Sequence, residues 1–81
     1  MTSEDISELQ QLISANSDQK ALEKLYHYFY PKLFPFTKAL VQQSEQAEEI
    51  VEDVFIKLWE NRSKLSEINN LKIYLFVAVR N

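Results

Sequence analysis

Apolar residues recur at helical spacing along almost the whole chain, and no strand-like alternation lasts more than a few residues. This pattern predicts an all-α fold: a compact four-helix domain with a long, kinked second helix. The first helix is expected to start after Thr2 or Ser3, both good N-cap residues, with Glu4 and Asp5 where the helix dipole favours acids. Asn16 is expected to end it in the left-handed conformation. Its apolar positions are Ile6, Leu9, Leu12 and Ile13.

The second helix is expected to run from about Asp18 to Gln42, with Ser17 or Asp18 as its cap. Its apolar stripe is Leu22, Leu25, Phe29, Leu33, Phe36 and Leu40. Pro31 and Pro35 fall inside this stripe, and an interior proline costs about 3 kcal/mol and bends or breaks a helix. The alternative is two helices, with Pro31 at the first position of the second. Because the stripe keeps its phase across both prolines, the sequence favours one long kinked helix.

The third helix is expected to run from a Ser44 cap to about Asn61, and it has the clearest amphipathic pattern in the chain. Its core stripe is Ala47, Ile50, Val51, Val54, Phe55, Leu58 and Trp59. Its polar side is Glu45, Glu49, Glu52, Asp53, Ile56 and Glu60. Ile56 is an aliphatic residue that the helical period does not require there. Periodicity alone favours a solvated face over a surface that receives a basic partner helix.

The segment 61–70 is polar except for Leu65 and Ile68, which are expected to tuck back onto the body as part of a loop. Asn69 or Asn70 then caps a fourth helix over residues 71–81, which is apolar almost all round. This helix reaches the last residue with no stop signal. The chain, residues 1–81, is therefore expected to be one domain of a longer protein.

Composition excludes several classes of site, because the chain has neither glycine nor cysteine. Without glycine, phosphate-cradling loops and strained nucleophile elbows are difficult to form. Without cysteine, there is no disulfide and no thiolate metal site. The N-terminus has no signal-peptide pattern, and no apolar run approaches the length of about 18 residues that spans a membrane. A cytoplasmic location without membrane insertion is therefore expected.

The net charge of −3 is unevenly distributed. Residues 1–56 contain ten acids and four bases, whereas residues 57–81 contain five bases and two acids. At first sight a negative net charge argues against nucleic-acid binding, but the chain is an acidic body with a basic C-terminal third. Ordinary variation in a short chain is the alternative, and charge alone does not decide between them.

Little in the sequence is suited to catalysis. His27 is the only histidine and lies among aromatic residues on a helix, where a packing or surface role is the usual one. Acids on one helix do not converge as the oxygen ligands of Mg²⁺ or Ca²⁺ must. The aromatic run YHYFYP, residues 26–31, is expected to pack in the core. The sequence therefore predicts no enzyme, no cofactor and no metal.

The run AEEIVEDVFIKLWENR (47–62), a short polar loop and NNLKIYLFVAVRN (69–81) resemble region two of bacterial sigma factors of the extracytoplasmic-function (ECF) type. The upstream segment DQKALEKLYHYFYPKLFPFTKAL (18–40) is similar to the long opening helix of that family, including a proline after its tyrosine cluster. The resemblance covers residues 18–81. It implies an all-helical domain that acts in transcription initiation and is not an enzyme.

The resemblance also implies two surfaces. The third helix would dock on the clamp helices, a coiled coil of RNA polymerase core, through Glu49, Glu52, Asp53 and Ile56. The loop 63–70 and the last helix would recognise and open the minus-ten promoter element and capture a base flipped from the non-template strand. An anti-sigma factor would hold the full-length protein until a signal arrives.

The residues that would contact DNA are Lys64, Asn69, Asn70, Lys72, Tyr74, Arg80 and Asn81. By the resemblance, Tyr74 lies near the melted bases and Asn81 reads the element. Asparagine amides suit a base edge, and lysine and arginine contact phosphates without reading sequence. Each residue has a plainer alternative: Tyr74 as core, Asn69 and Asn70 as loop and cap, and Asn81 as an exposed terminus.

The chain departs from the family pattern in three ways. Val77 and Ala78 stand where members often carry a basic residue, and the basic continuation of the last helix is missing. The helix-turn-helix domain that reads the minus-thirty-five element is also absent. The chain alone is therefore expected to bind duplex DNA weakly or not at all. A helical adaptor for protein–protein interaction, without a role on DNA, is the alternative function.

Overall fold

The computed structural model describes every residue from Met1 to Asn81. It has no strand and contains four α-helices and one 3₁₀-helix: α1 (Ser3–Asn16), α2 (Gln19–Val41), α3 (Ser44–Glu60), the 3₁₀ segment (Arg62–Glu67) and α4 (Leu71–Arg80). The predicted all-α class is confirmed, and α2 is a single helix across both prolines. None of the helices combines the length and apolar character that crossing a bilayer requires.

Side-chain caps fix the starts of three helices. The Thr2 hydroxyl accepts a hydrogen bond from the Asp5 N–H at 3.1 Å, and the Asp5 carboxylate accepts one from the Thr2 N–H at 2.9 Å. The side chains of Asp18 and Asn70 each accept a hydrogen bond from the N–H three residues later, at 3.0 and 3.1 Å. The caps predicted at Thr2, Asp18 and Asn70 are confirmed.

The end of α1 and the start of α3 each differ by one residue from the prediction. Ser17, not Asn16, is left-handed, with φ 52° and ψ 43°, and Asn16 is the last helical residue. Ser44 is the first residue of α3 rather than its cap, and Gln43 occupies the cap position without a side-chain hydrogen bond. Gln42 is also left-handed, with φ 62°. Both connections are two residues long, so each needs a left-handed turn although no glycine is present.

The core forms along one side of α2. A buried row with a spacing of four residues consists of Ala21, Leu25, Phe29, Leu33 and Thr37. The Thr37 hydroxyl is satisfied within the helix, because it donates to the Leu33 carbonyl at 2.7 Å. Helices α1, α3 and α4 all pack against α2. They contribute the buried residues Ile13, Val51, Phe55, Leu58, Leu71, Leu75 and Val79.

The predicted stripe of α2 is confirmed except at its last position, Leu40. Leu25, Phe29 and Leu33 are fully buried, but Leu22 and Phe36 are only half-buried and Leu40 is 49% exposed. A row spaced by four residues winds around the helix, which suits neighbours that cross it at an angle. Ala21 and Thr37 therefore take the buried positions at the two ends of the row.

The predicted stripe of α3 and the core role of the aromatic run are confirmed. Ala47, Val51, Phe55 and Leu58 are buried, and Ile50, Val54 and Trp59 are half-buried against the same core. The rings of Tyr26 and Phe55 meet edge to face with centroids 5.1 Å apart. Those of Phe36 and Phe76 do so at 5.0 Å and join α2 to α4.

Truncation of two leucines on α2 tests the position of the buried row. Leu33→Ala should lower the free energy of unfolding by about 2–5 kcal/mol, because it leaves a cavity in the core. Leu40→Ala should cost less than about 1 kcal/mol, because that side chain lies past the end of the row. Urea denaturation of both variants measures the difference. Equal losses would contradict the assignment of the core.

Candidate functional site

The acidic side of α3 is exposed. Glu49, Glu52, Asp53 and Ile56 all lie on it, and Ile56 is 55% exposed although it is aliphatic. Ile56 is therefore not a displaced core residue. These four predicted docking residues share one face of one helix, at the positions that the periodicity gave them.

An open groove lies between α2 and α3, with Glu52 and Ile56 among its lining residues. The others are Gln19, Leu22, Glu23, Tyr26, Phe55 and Trp59. Five of the eight are hydrophobic, and the two charged residues, Glu23 and Glu52, are acids from different helices. Glu49 and Asp53 do not line the groove. An apolar groove with acids on both sides suits a basic amphipathic helix.

The α2 half of this groove was not predicted. Leu22 and Tyr26 were assigned to core packing, and each is in fact half-buried, with part of its surface in the groove. Glu23 gives no signal in the sequence, because it is a single exposed acid. Only the packing of α2 against α3 brings these residues beside Ile56.

The acids of α3 act electrostatically on α2. Burial is the main cause of the raised pKa of Tyr26, and the negative charge of Glu52 raises this pKa further. Burial also raises the pKa of Tyr30, with Glu48 and Glu52 adding to the effect. The raised pKa of each phenol disfavours its ionised form beside the acids of α3.

The seven candidate DNA residues are all exposed, including Tyr74 at 47%. The core alternative for Tyr74 is therefore wrong. Tyr74 and Lys64 line a small pocket between the end of α3, the 3₁₀ segment and the start of α4. We call it the Tyr74 pocket, and its other lining residues are Lys57, Leu58, Asn61, Leu65 and Ile68. An apolar floor, an aromatic ring and two lysines suit a stacked base beside its phosphate.

Lys57 and Asn61 are additions to the predicted set. Lys57 was counted only as the first base of the C-terminal third, and Asn61 only as the end of α3. The Asn61 amide donates to the Lys57 carbonyl at 3.1 Å, so its side chain is partly engaged in ending the helix.

Other candidates lie apart from the Tyr74 pocket. Asn70, Lys72 and Arg80 line a groove between α2 and α4, whose further residues are Phe36, Ile73, Phe76 and Val77. Asn69, Asn70 and Lys72 also border a groove against α1. Asn81 lies exposed just after α4. The structure thus divides the predicted DNA residues between the Tyr74 pocket and the sides of α4.

Asn70 has less freedom than the prediction assumed. Its side-chain oxygen accepts the hydrogen bond from the Ile73 N–H that caps α4. While this cap is intact, the amide NH₂ is the part of the side chain free to contact a base.

The 3₁₀ segment is held by residues that the sequence did not single out. The Gln10 amide of α1 donates to the carbonyls of Leu65 and Ile68, at 2.8 and 3.0 Å. The Ser14 hydroxyl donates to the Arg62 carbonyl at 2.7 Å and accepts from the Ser66 N–H at 2.8 Å. Neither side chain belongs to an apolar stripe, and periodicity therefore gives no indication of their role.

Arg62 stabilises the junction between α3 and the 3₁₀ segment through contacts with Trp59 and Ser17. Its guanidinium lies over the Trp59 ring, 4.4 Å from the centroid, and donates to the Ser17 hydroxyl at 2.8 Å. A further hydrogen bond reaches the Trp59 carbonyl at 2.9 Å. These contacts use two of the five guanidinium N–H donors and give this basic residue a structural role.

The sequence of the chain is similar to that of a known protein family. The sequence model of the Sigma-70 region 2 family matches residues 25–81, which include most of α2 and all of α3, the 3₁₀ segment and α4. Searches of curated proteins and of solved structures gave no significant match. Since the family match covers well over half of the chain, the chain belongs to the Sigma-70 region 2 family, a non-enzymatic domain of transcription initiation factors that interacts with RNA polymerase core and promoter DNA.

Proposed function

We propose that this chain is a region-two domain of the ECF type that docks on the clamp helices of RNA polymerase and opens the minus-ten element. The observation that carries the proposal is the presence of two different surfaces on one domain. One is an apolar groove with acidic sides, and the other is the Tyr74 pocket with its lysines. A helical adaptor without a role on DNA would need the first surface but not the second.

The docking step follows from the chemistry of the groove. Ile56, Leu22 and Trp59 supply apolar area to the groove, and Glu23 and Glu52 supply one negative charge from each helix. Charges around an apolar centre guide a basic partner and fix its orientation, while the buried centre provides most of the affinity. Glu49 and Asp53 extend the negative charge along α3 beyond the groove.

A double substitution tests docking. Glu52→Lys with Ile56→Ala should weaken binding to the clamp helices by about 30-fold or more, because truncating a central contact costs about 2 kcal/mol or more. Glu8→Lys with Leu12→Ala on α1 is the matched control, since it has the same spacing, the same charge change and similar exposure. Titration of core polymerase with each variant gives the affinities. Unchanged affinity of the Glu52/Ile56 variant would refute the docking surface.

The opening step follows from the Tyr74 pocket. A base that leaves the duplex loses stacking worth a few kcal/mol, and an aromatic ring recovers about 1–3 kcal/mol of it. Tyr74 supplies that ring, while Lys57 and Lys64 are close enough to hold the neighbouring phosphates. Lys72 and Arg80 then lie along α4, where they can follow the displaced strand, and Asn81 at the end of α4 supplies an amide for a base edge.

Variants of Tyr74 separate opening from polymerase binding. Tyr74→Ala should reduce promoter melting by about fivefold or more, since stacking is worth about 1–3 kcal/mol per base. Tyr74→Phe should keep most of the melting, because the ring is retained. Asn81→Ala should also impair melting, with affinity for polymerase unchanged in all three variants. Permanganate footprinting with core polymerase reports the melted bases, and normal melting by Tyr74→Ala would exclude a stacking role.

The lysines are expected to act on the phosphate backbone. Lys72→Gln should weaken binding of the polymerase–chain complex to single-stranded DNA equally for all sequences. It should also reduce the slope of log affinity against log salt concentration by about 0.7, the value for one phosphate contact on a single strand. Lys24→Gln, an exposed lysine on α2, is the control and should change neither. A loss confined to one DNA sequence would instead assign Lys72 to base reading.

An anti-sigma factor is the remaining partner in this proposal. A protein that covered the α2–α3 groove or the Tyr74 pocket would prevent docking or opening directly. This regulation would take place in the cytoplasm, where bacterial RNA polymerase is located.

A further inference from the structure

Helix α1 contacts the predicted recognition loop although it lies outside the residues that match the family, 25–81. Gln10 is a polar side chain that is only 5% exposed, and both of its hydrogen bonds go to backbone carbonyls of the segment 65–68. A buried amide that is used in this way fixes the position of the backbone it binds.

Ser14 provides a second attachment one turn later on the same helix. Its hydroxyl donates to the Arg62 carbonyl and accepts from the Ser66 N–H, so it bridges two ends of the 3₁₀ segment. Together, Gln10 and Ser14 hold four backbone atoms over a stretch of seven residues, 62–68.

The held backbone carries part of the Tyr74 pocket. Lys64, Leu65 and Ile68 line that pocket. The carbonyls of Leu65 and Ile68 accept the hydrogen bonds of Gln10, and Lys64 lies between the attached residues Arg62 and Leu65. A 3₁₀-helix has poor hydrogen-bond geometry and seldom exceeds three or four residues, whereas this one has six. Leu65 is the only fully buried side chain within it. The segment therefore depends on α1 for its conformation.

We propose that Gln10 and Ser14 are positioning residues that fix the 3₁₀ segment and thereby set which base the Tyr74 pocket accepts. This inference rests on the proposed function, because it concerns the same pocket. It adds that α1 takes part in base selection without contacting DNA. Loss of the attachments should reduce discrimination between bases and leave docking on polymerase intact.

The experiment uses the chain bound to core polymerase and four single-stranded oligonucleotides that differ at the captured base. Ser14→Ala and Gln10→Met should each reduce the affinity ratio between the preferred base and the others by about fivefold or more, because each variant removes two hydrogen bonds and about fivefold is the factor for one. Ser14→Thr keeps the hydroxyl and should restore the ratio. Gln11→Ala, an exposed glutamine on α1, should leave it unchanged.

A second measurement does not involve DNA. Amide hydrogen exchange at Ser66 should accelerate in Ser14→Ala and return to the original rate in Ser14→Thr, because this N–H donates to the Ser14 hydroxyl. Alanine favours helix, so Ser14→Ala should fold even if Gln10→Met does not. The thermal unfolding curve of each variant checks this.

The outcomes separate the two proposals. If the unmodified complex prefers one base and Ser14→Ala keeps that preference, the positioning role is wrong while promoter recognition stands. The same conclusion follows if exchange at Ser66 does not change. If the unmodified complex shows no base preference, promoter recognition by the Tyr74 pocket fails and the positioning role fails with it.

Discussion

The buried row on α2 is the constraint on which both surfaces depend. Pro31 and Pro35 remove two backbone donors from this helix, at a cost of about 3 kcal/mol each. Full burial of Leu25, Phe29 and Leu33 contributes about 1.5–3 kcal/mol for each side chain, which is of the same size. Packing can therefore hold the helix continuous across both prolines. With α2 continuous, α3 forms the acidic groove along its first half, and α4 lies against its second half.

Satisfaction of buried backbone groups is the second constraint. Burial of Leu65 carries the middle of a polar segment into the interior, and its carbonyl needs a partner there. The Ile68 N–H and the Gln10 amide both donate to this carbonyl, at 3.2 and 2.8 Å, and no buried side-chain polar atom in the structure lacks a partner. The apolar and polar contacts of the 3₁₀ segment thus act together: Leu65 packs in the core, while Gln10 of α1 donates to the carbonyls of Leu65 and Ile68.

The sequence predicted what local pattern determines. Stripes at helical spacing located the cores of α2 and α3, and short polar side chains located the caps at Thr2, Asp18 and Asn70. It did not predict the 3₁₀ segment, the α2 half of the groove or the role of Gln10. Each of these depends on contacts between residues far apart in the chain; the bond from Gln10 to Leu65 spans 55 positions. The sequence placed the left-handed residue at Asn16, because asparagine adopts that conformation more readily than most residues. In the structure the two-residue connection places it at Ser17.

The arrangement along α2 explains how a chain of net charge −3 can present a surface to DNA. Leu22 lines the acidic groove and Phe36 lines the groove with Lys72 and Arg80, and these positions are about 21 Å apart along the helix axis. That separation exceeds the Debye length of about 8 Å at physiological salt, so the groove acids are largely screened from the groove that Lys72 and Arg80 line. On α3 the change from acidic to basic residues is abrupt, because Asp53 and Lys57 are one turn, about 6 Å, apart. At the Tyr74 pocket the lysines are therefore partly offset by nearby acids. The proposed recognition of a base there would depend more on ring stacking and pocket shape than on charge.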